Sequence, residues 1–427
     1  MKLQSISKLS IALAFGLGLN MSAMAADDTI KIGVLHSLSG TMAISETTLK
    51  DTVLMLVDEQ NKKGGVLGKK IETVVVDPAS NWPLYAEKAR DLISKDHVSA
   101  VFGCWTSVSR KSVLPVFEEL DNILFYPVQY EGEESSKNVF YTGSAPNQQA
   151  IPAVDYLLAQ GVKRWALVGT DYVYPRTANK ILEAYLKAKG FTDKDIMINY
   201  TPFSHSDWQS IVSDIKKFGS SGKKTAVIST INGDANVPFY KELSNQGVSA
   251  KDIPVVAFSV GEEELSGVDT KPLVGHLAAW NYFQSVDSEA NDDFIDKWHA
   301  YTGKDTRVTN DPMEATYIGF NMWVKAVEKA GTTDVDAVQD ALIGITVPNL
   351  SGTYASMMPN HHITKPVLIG EIQEDGQFQI VSQTPTTIVA DEWSDYLDGS
   401  KDLIADWRKP LSCGNFNVKT GKCGGSK

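Results

Sequence analysis

Two polar turns carry the side chains best suited to bind a small molecule. The first turn follows the apolar run 100–103, and the second follows the apolar run 123–125. A helical pattern from Val108 to Glu119 separates them, so both turns fall where strands of a parallel sheet end and ligands commonly bind. Neither turn has the glycine pattern that binds phosphate, so we expect a small, flat, uncharged polar ligand. The candidate residues are Trp105, Thr106, Ser107, Tyr126 and Gln129.

Three further candidates come from later strand ends. Tyr172 follows the apolar run 164–169, Asp234 follows the run 225–230, and Glu262 follows Val255–Phe258. Turns of this kind also cap helices, which is the ordinary structural role for such carboxylates. We nevertheless expect these side chains to face the same ligand, because the carboxyl ends of parallel strands meet at one edge of a sheet.

The hydrogen bonds that such a ligand requires predict a role for each candidate side chain. A buried polar group left unpaired costs about 1–3 kcal/mol, so donors and acceptors must both be nearly complete. We expect the hydroxyls of Thr106 and Ser107 to donate to a ligand oxygen, with helix capping as their alternative role. The oxygens of Gln129, Asp234 and Glu262, together with tyrosine oxygens, are expected to accept. Trp105 is expected to lie flat against the ligand.

Catalytic and metal sites are not indicated. Cys104 lies beside hydroxyl side chains, but no histidine or lysine base follows at a recognisable spacing. His361 and His362 are adjacent, so they would point apart on a strand, and no third ligand stands near. The oxygen-bearing residues between Asp305 and Glu314 lack the calcium-loop pattern, so helix capping is favoured and a structural calcium is left open. We expect no enzyme activity, no metal and no cofactor.

The N-terminal segment and the cysteines indicate an exported protein, and the charge balance limits its partners. The 52 Asp and Glu residues outnumber 40 Lys and Arg, which argues against nucleic acid or an anionic membrane surface as partner. Residues 1–25 resemble a cleavable signal peptide ending in Ala-Met-Ala, and the apolar stretch is too short to span a bilayer. Cys413 and Cys423 close a short loop and are expected to form a disulfide. The mature protein is therefore expected to be free in the periplasm.

Strands and helices alternate along the chain, which predicts an α/β fold. We expect two doubly wound parallel-sheet lobes, joined by about three hinge crossings, with Tyr130 and Glu131 on the rim of a lobe. An Asp-Gly pair at 375–376 predicts a hairpin. The expected division is a signal peptide at 1–25, a first lobe at 26–143 and 279–350, and a second lobe at 144–278 and 351–427, including the C-terminal tail.

Four motifs together resemble one known family. They are Gly103-Cys104-Trp105-Thr106-Ser107, the run 125–132 (FYPVQYEG), Ala145-Pro146-Asn147-Gln148, and Asp171-Tyr172-Val173-Tyr174-Pro175. The chain resembles the urea-type substrate-binding proteins of ABC transporters, a branch of the leucine/isoleucine/valine-binding-protein family. The amide sensor that regulates aliphatic amidase is a cousin. The resemblance covers essentially the whole mature chain.

The resemblance implies a type I periplasmic-binding-protein fold, closure of two lobes on urea, and delivery to a membrane permease. By position, the cousin's amide-contacting residues fall on Trp105, Ser107, Tyr126 and Tyr172, and an acidic turn position falls on Glu262. The chain has Trp105 where the amide sensor has tyrosine, and Val128-Gln129 where that protein has threonine-proline, which favours the urea branch. The alternative is a binding protein or sensor for short amides such as acetamide and formamide, or another small polar nitrogen compound. The signal peptide favours transport.

Overall fold

The first lobe is built on a five-stranded parallel sheet. The structure is a computed structural model that describes residues 29–424, so the expected signal peptide lies outside the described residues. The strands are β1 (Thr29–Leu35), β2 (Lys70–Val76), β3 (Val101–Gly103), β4 (Leu124–Tyr126) and β5 (Val139–Tyr141). All pairs are parallel and the order is β2-β1-β3-β4-β5. Three helices connect the strands: α1 (Ala43–Lys62), α2 (Trp82–Ser94) and α3 (Ser107–Leu120).

The second lobe repeats this plan on a seven-stranded sheet. Its parallel strands are β6 (Arg164–Thr170), β7 (Ile196–Thr201), β8 (Thr225–Thr230), β9 (Val255–Ala257) and β10 (Leu277–Trp280). Its helices are α4 (Ala150–Ala159), α5 (Val173–Ala188), α6 (Gln209–Gly219), α7 (Asn236–Asn245) and the single turn α8 (Glu262–Leu265). Single 3₁₀ turns lie at Pro146–Gln148, Asp193–Asp195, Gly233–Ala235 and Lys271–Leu273.

The chain then returns to the first lobe. Helices α9 (Glu289–Thr302), α10 (Asp311–Ala330) and α11 (Val335–Leu342) pack there, with α10 against α1 and β4. A small hairpin, β11 (Thr346–Pro348) and β12 (Tyr354–Ser356), packs against α10. The expected hairpin at 375–376 is confirmed: β13 (Leu368–Ile372) and β14 (Phe378–Gln383) pair antiparallel and complete the second sheet in the order β14-β13-β10-β9-β8-β6-β7.

The C-terminal tail forms a third, small sheet. Its strands are β15 (Leu403–Asp406), β16 (Cys413–Asn417) and β17 (Lys422–Cys423), and the expected Cys413–Cys423 disulfide is present. The tail contacts both lobes, because Glu133 of the first lobe accepts hydrogen bonds from Ser394 N and Ser400 Oγ while Tyr396 packs on Tyr185 of the second.

The strand pairing differs from the expected division at two points. β5, which adds a fifth strand to the first sheet, falls inside the expected first lobe. The expected boundary at 278/279 falls inside β10, which belongs to the second sheet. Residues 354–363, expected in the second lobe, lie beside the first: β12 pairs with β11, and His362 bridges to Tyr141 on β5. The short strands show little alternation, and the bridge from Tyr141 to His362 joins residues far apart in sequence, so the pattern alone did not locate these boundaries.

One asparagine ties the three hinge crossings together. Asn281 Nδ2 donates to the Gln148 carbonyl at 2.9 Å and to the Pro366 carbonyl at 2.6 Å, and its Oδ1 accepts from Ser144 Oγ. Gly143 immediately precedes Ser144, and a Cβ atom at position 143 would lie 2.0 Å from the Val128 carbonyl oxygen. The crossing can therefore pass directly under the turn that follows β4. Within residues 29–424, no helix is long and apolar enough to cross a membrane.

Candidate functional site between the lobes

The turn after β3 begins helix α3, and its first hydroxyl serves that helix. Thr106 is the N-cap: its Oγ1 accepts from Ser109 N at 3.1 Å and donates to Ser109 Oγ at 3.0 Å. Capping satisfies a backbone N–H that a helix start leaves unpaired. Because the Thr106 hydroxyl is used in this way, the structure does not support it as a donor to a ligand.

Ser107 belongs to a buried charge network. Its Oγ donates to Glu131 Oε2 and accepts from Arg110 Nη1 at 3.2 Å. Arg110 also donates to Glu131 Oε1 at 3.3 Å and to Glu134 Oε1 at 2.7 Å. All four side chains are buried. Since the Ser107 proton is committed to Glu131, this oxygen can offer only a lone pair, the opposite of the donor role expected from the sequence.

Aromatic rings enclose the guanidinium of this network. Arg110 lies 4.7 Å from the ring centre of Tyr126 and 4.6 Å from that of Tyr130. Burial alone would raise the pKa of Glu134, but the charges of Arg110 and Lys111 outweigh it and lower that pKa to about 2. The two cations are thus matched by two carboxylates, and the network offers no spare positive charge to an anionic ligand.

Two side-chain contacts close the cleft above the network. Trp105 Nε1 donates to Asn232 Oδ1 at 3.3 Å, and Gln129 Nε2 donates to Ser259 Oγ at 2.6 Å. Each contact joins a turn of the first lobe to a strand-end turn of the second. The lobes therefore meet in the closed arrangement, with these side chains between them.

Tyr172 and Tyr174 of the second lobe lie close enough to Glu131 for its charge to affect them. Burial raises the pKa of Tyr172, and the neighbouring Tyr126, Tyr174 and Glu131 raise it further. Burial raises the pKa of Tyr174 as well, partly opposed by hydrogen bonds with Gln129 and Ser259. The hydroxyls therefore stay protonated and can donate. In the described part of the chain Gln129 Oε1 is buried without a hydrogen-bond partner, so it is an acceptor available to a ligand.

Two expected site residues lie elsewhere. Asp234 is half-buried, and both its oxygens accept from Ser204 Oγ, at 3.1 and 3.0 Å. Glu262 Oε1 accepts from Gln284 N at 2.7 Å. Burial raises the pKa of Glu262 to about 8, with Glu264 and Asp311 adding to the shift. Within the described residues, no side-chain hydrogen bond joins either carboxylate to Trp105 or Glu131.

Sequence reasoning missed several members of the cluster. Tyr130 and Glu131, expected on the rim, are 2% and 1% exposed, so that prediction was wrong. A usable signal was present: Arg110 stands three residues after Ser107, on the same face of α3, and charges at such buried positions need partners. The other missed residues are Glu134, Tyr174, Asn232 and Ser259.

The paired histidines have a structural role. Burial lowers the pKa of His361 to about 3 and that of His362 to about 4, so both are neutral. His361 stacks on Phe140 at 4.2 Å and His362 on Tyr141 at 4.3 Å, along β5. Among residues 29–424 no group of three or more His, Cys, Asp or Glu side chains is arranged to hold a metal ion.

Comparisons with known proteins agree on the architecture. The family described as "Periplasmic binding protein domain" matches residues 30–399. Leu/Ile/Val-binding protein homolog 7 of Brucella melitensis is 24% identical over 401 residues, covering 88% of this chain and 96% of that one. A solute binding protein of an ABC transporter from Rhodopseudomonas palustris HaA2, solved with p-hydroxybenzoic acid, superposes with a TM-score of 0.75 at 24% identity, covering 86% of this chain and 98% of that one. A shorter match, 34% over 121 residues, is to limonene hydroxylase of Geobacillus stearothermophilus; it spans 28% of this chain and 22% of that protein.

Proposed function

We propose, because the chain belongs to the periplasmic binding protein family, that it captures urea between its two lobes and delivers it to a membrane permease. As a family member it is a periplasmic substrate-binding protein of an ABC transporter and not an enzyme. The permease subunits of that transporter are the partners we infer. That the ligand is urea is the more specific part of the proposal, and this part rests on the hydrogen-bond donors and acceptors of the cleft.

The acceptors around Glu131 carry the proposal. Urea has one carbonyl oxygen and four N–H groups, so it needs more acceptors than donors. The cleft offers the free Gln129 Oε1, the Glu131 carboxylate and the remaining lone pair of Ser107. Hydroxyls of Tyr172 and Tyr174 can donate to the urea oxygen, and Trp105 supplies an apolar wall. These groups together match a small, flat molecule rich in N–H.

Aromatic acids fit this cleft less well. The R. palustris relative was solved with p-hydroxybenzoic acid, whose carboxylate needs donors or a free positive charge. Here Arg110 is already paired with Glu131 and Glu134, so a ligand carboxylate would face Glu131 without compensation. Acetamide remains the second candidate, since it keeps the carbonyl and one amino group of urea.

Calorimetry on the mature protein tests the proposal. Acetamide places a methyl group where urea has its second amino group, which leaves one buried acceptor unpaired. We expect urea to bind more tightly by roughly 10- to 200-fold. Leucine and 4-hydroxybenzoate serve as controls and should give no binding heat at the same concentrations. Acetamide binding as tight as urea, or tighter, would reject the urea assignment in favour of an amide-binding protein.

A further inference from the structure

An aromatic pair joins the lobes outside the ligand cluster. Trp82 opens α2 in the first lobe, and Phe203 lies in the loop between β7 and α6 of the second. Their ring centres are 5.5 Å apart, and the Phe203 ring lies 4.9 Å from that of Tyr172. A chain of aromatic contacts thus runs from Tyr172, beside Glu131, to the half-buried Trp82 at the surface.

The sheet order puts this pair at the mouth of the cleft. In the first sheet, β2 is one edge and β5 is the other, and the hinge side chain Asn281 contacts Ser144 just after β5. In the second sheet, β7 is the edge remote from β10 and β13, next to which the hinge crossings enter. Trp82 follows β2 and Phe203 follows β7, so the pair lies at the end of the cleft farthest from the hinge. Opening the hinge must separate these two rings more than any contact nearer the pivot.

Both rings are held by rigid surroundings. Ser204, next to Phe203, donates to both oxygens of Asp234, and Trp208 Nε1 donates to the His205 carbonyl at 3.1 Å. The loop is therefore fixed at two places to the body of the second lobe. Asp234 therefore helps to hold Phe203 in position, whereas the sequence had predicted that it contacts the ligand.

The start of α2 is fixed in the same way on the first lobe. Asn81 caps the helix by accepting from Leu84 N at 3.0 Å. Ser80 Oγ donates to the Ser39 carbonyl and accepts from Met42 N. Trp82 thus stands on a turn bound to the neighbouring loop, so its ring approaches Phe203 only through movement of the whole lobe.

We propose that Trp82 and Phe203 form a gate that controls how long a ligand stays in the closed cleft, without selecting which ligand enters. The contact exists only after closure, so losing it speeds release and leaves capture unchanged. An aromatic pair of this kind changes the rate by about 2- to 10-fold. Phe203 contacts the ligand cluster through Tyr172. The Tyr172 hydroxyl meets the carbonyl oxygen that urea and acetamide share, so this contact does not decide between those two ligands. The choice of urea as probe rests on the proposed function.

Stopped-flow tryptophan fluorescence with urea tests the gate. Trp82→Ala and Phe203→Ala should each speed urea dissociation about 2- to 10-fold, with unchanged association and an unchanged urea-to-acetamide preference. The double variant should release urea no faster than the faster single variant, because either change removes the whole contact. Tyr354→Ala, at a residue 62% exposed on β12, is the matched control and should behave as the unaltered protein. Unchanged dissociation in both single variants would overturn the proposal.

A cross-linking arm separates this proposal from the choice of ligand. Trp82→Cys combined with Phe203→Cys should be joined by a short bis-maleimide, while each single variant should not, because Cys104 is buried. The joined protein should neither take up nor release urea. Failure to cross-link, with or without urea, or normal urea exchange after cross-linking, would overturn the gate. A protein that cross-links but shows no urea binding even before cross-linking would keep the gate and reject urea as ligand.

Discussion

Replacing Glu131 by glutamine removes one charge from the centre of the cleft and leaves its shape almost unchanged. The ligand N–H then meets a neutral acceptor. A hydrogen bond to a charged group is worth about 1.5–3 kcal/mol and one to a neutral group about 0.5–1.5 kcal/mol, so the change costs about 1–1.5 kcal/mol. That difference corresponds to a loss of urea affinity of roughly 5- to 13-fold. The buried network also loses its balance, since Arg110 and Lys111 would face Glu134 alone. We expect a lower melting temperature but a folded protein, because Glu134 keeps its 2.7 Å contact with Arg110.

The assay is titration calorimetry with urea, alongside differential scanning calorimetry. Glu133→Gln is the matched control, because this neighbouring carboxylate faces the C-terminal tail and accepts from Ser394 N at 2.9 Å. It should leave urea affinity unchanged. Urea binding at the unaltered affinity in a folded Glu131→Gln protein would refute the reasoning. So would an equal loss of affinity in the two variants, since that would trace the effect to stability alone.

Three other measurements test separate parts of the structure. Trp105→Phe keeps an aromatic ring against the ligand but loses the hydrogen bond to Asn232, so the urea affinity measured by calorimetry should fall by about 2- to 10-fold. An unchanged affinity would show that this hydrogen bond does not contribute to closure. Burial raises the Glu262 pKa to about 8, so this group stabilises the fold fully below its unfolded pKa near 4.5 and loses that contribution as pH rises through 8. Glu262→Gln should therefore raise the melting temperature more at pH 8 than at pH 5. A larger increase at pH 5 would contradict the expected pH dependence. Serine at both Cys413 and Cys423 should cost about 2–3 kcal/mol locally, seen as faster amide exchange in the tail, with urea affinity unchanged.

The layout of the fold was largely readable from the sequence. Apolar runs that end in polar turns located β3, β4, β6 and β8, and the pattern from Val108 to Glu119 anticipated helix α3 at Ser107–Leu120. Strand β5 was missed because no helix separates it from β4, so it breaks the alternation of strands and helices, and only its pairing with β4 identifies it. Residues 354–363 were misplaced for a similar reason, since their contact with β5 depends on a bridge between residues more than 200 positions apart.

The candidate site was predicted less completely. Trp105, Ser107, Tyr126, Gln129 and Tyr172 do come together, because strand ends of parallel sheets share an edge. The proton of Ser107 could not be assigned from sequence, since its acceptor Glu131 looked like a surface residue in a polar loop. Asp234 and Glu262 also follow strands, but their side chains turn toward Ser204 and the Gln284 backbone. Which way a turn side chain points depends on neighbours that only the folded chain supplies.

Asn281 has a mechanical consequence for the whole protein. Since its amide binds Gln148, Pro366 and Ser144 at once, the three crossings cannot slide independently. We therefore expect the lobes to rotate about one axis, so that a single angle describes the position of one lobe relative to the other. Any pair of fluorophores, one on each lobe, should therefore report the same transition with the same midpoint, wherever the labels are attached. That property makes the scaffold suitable for an optical sensor.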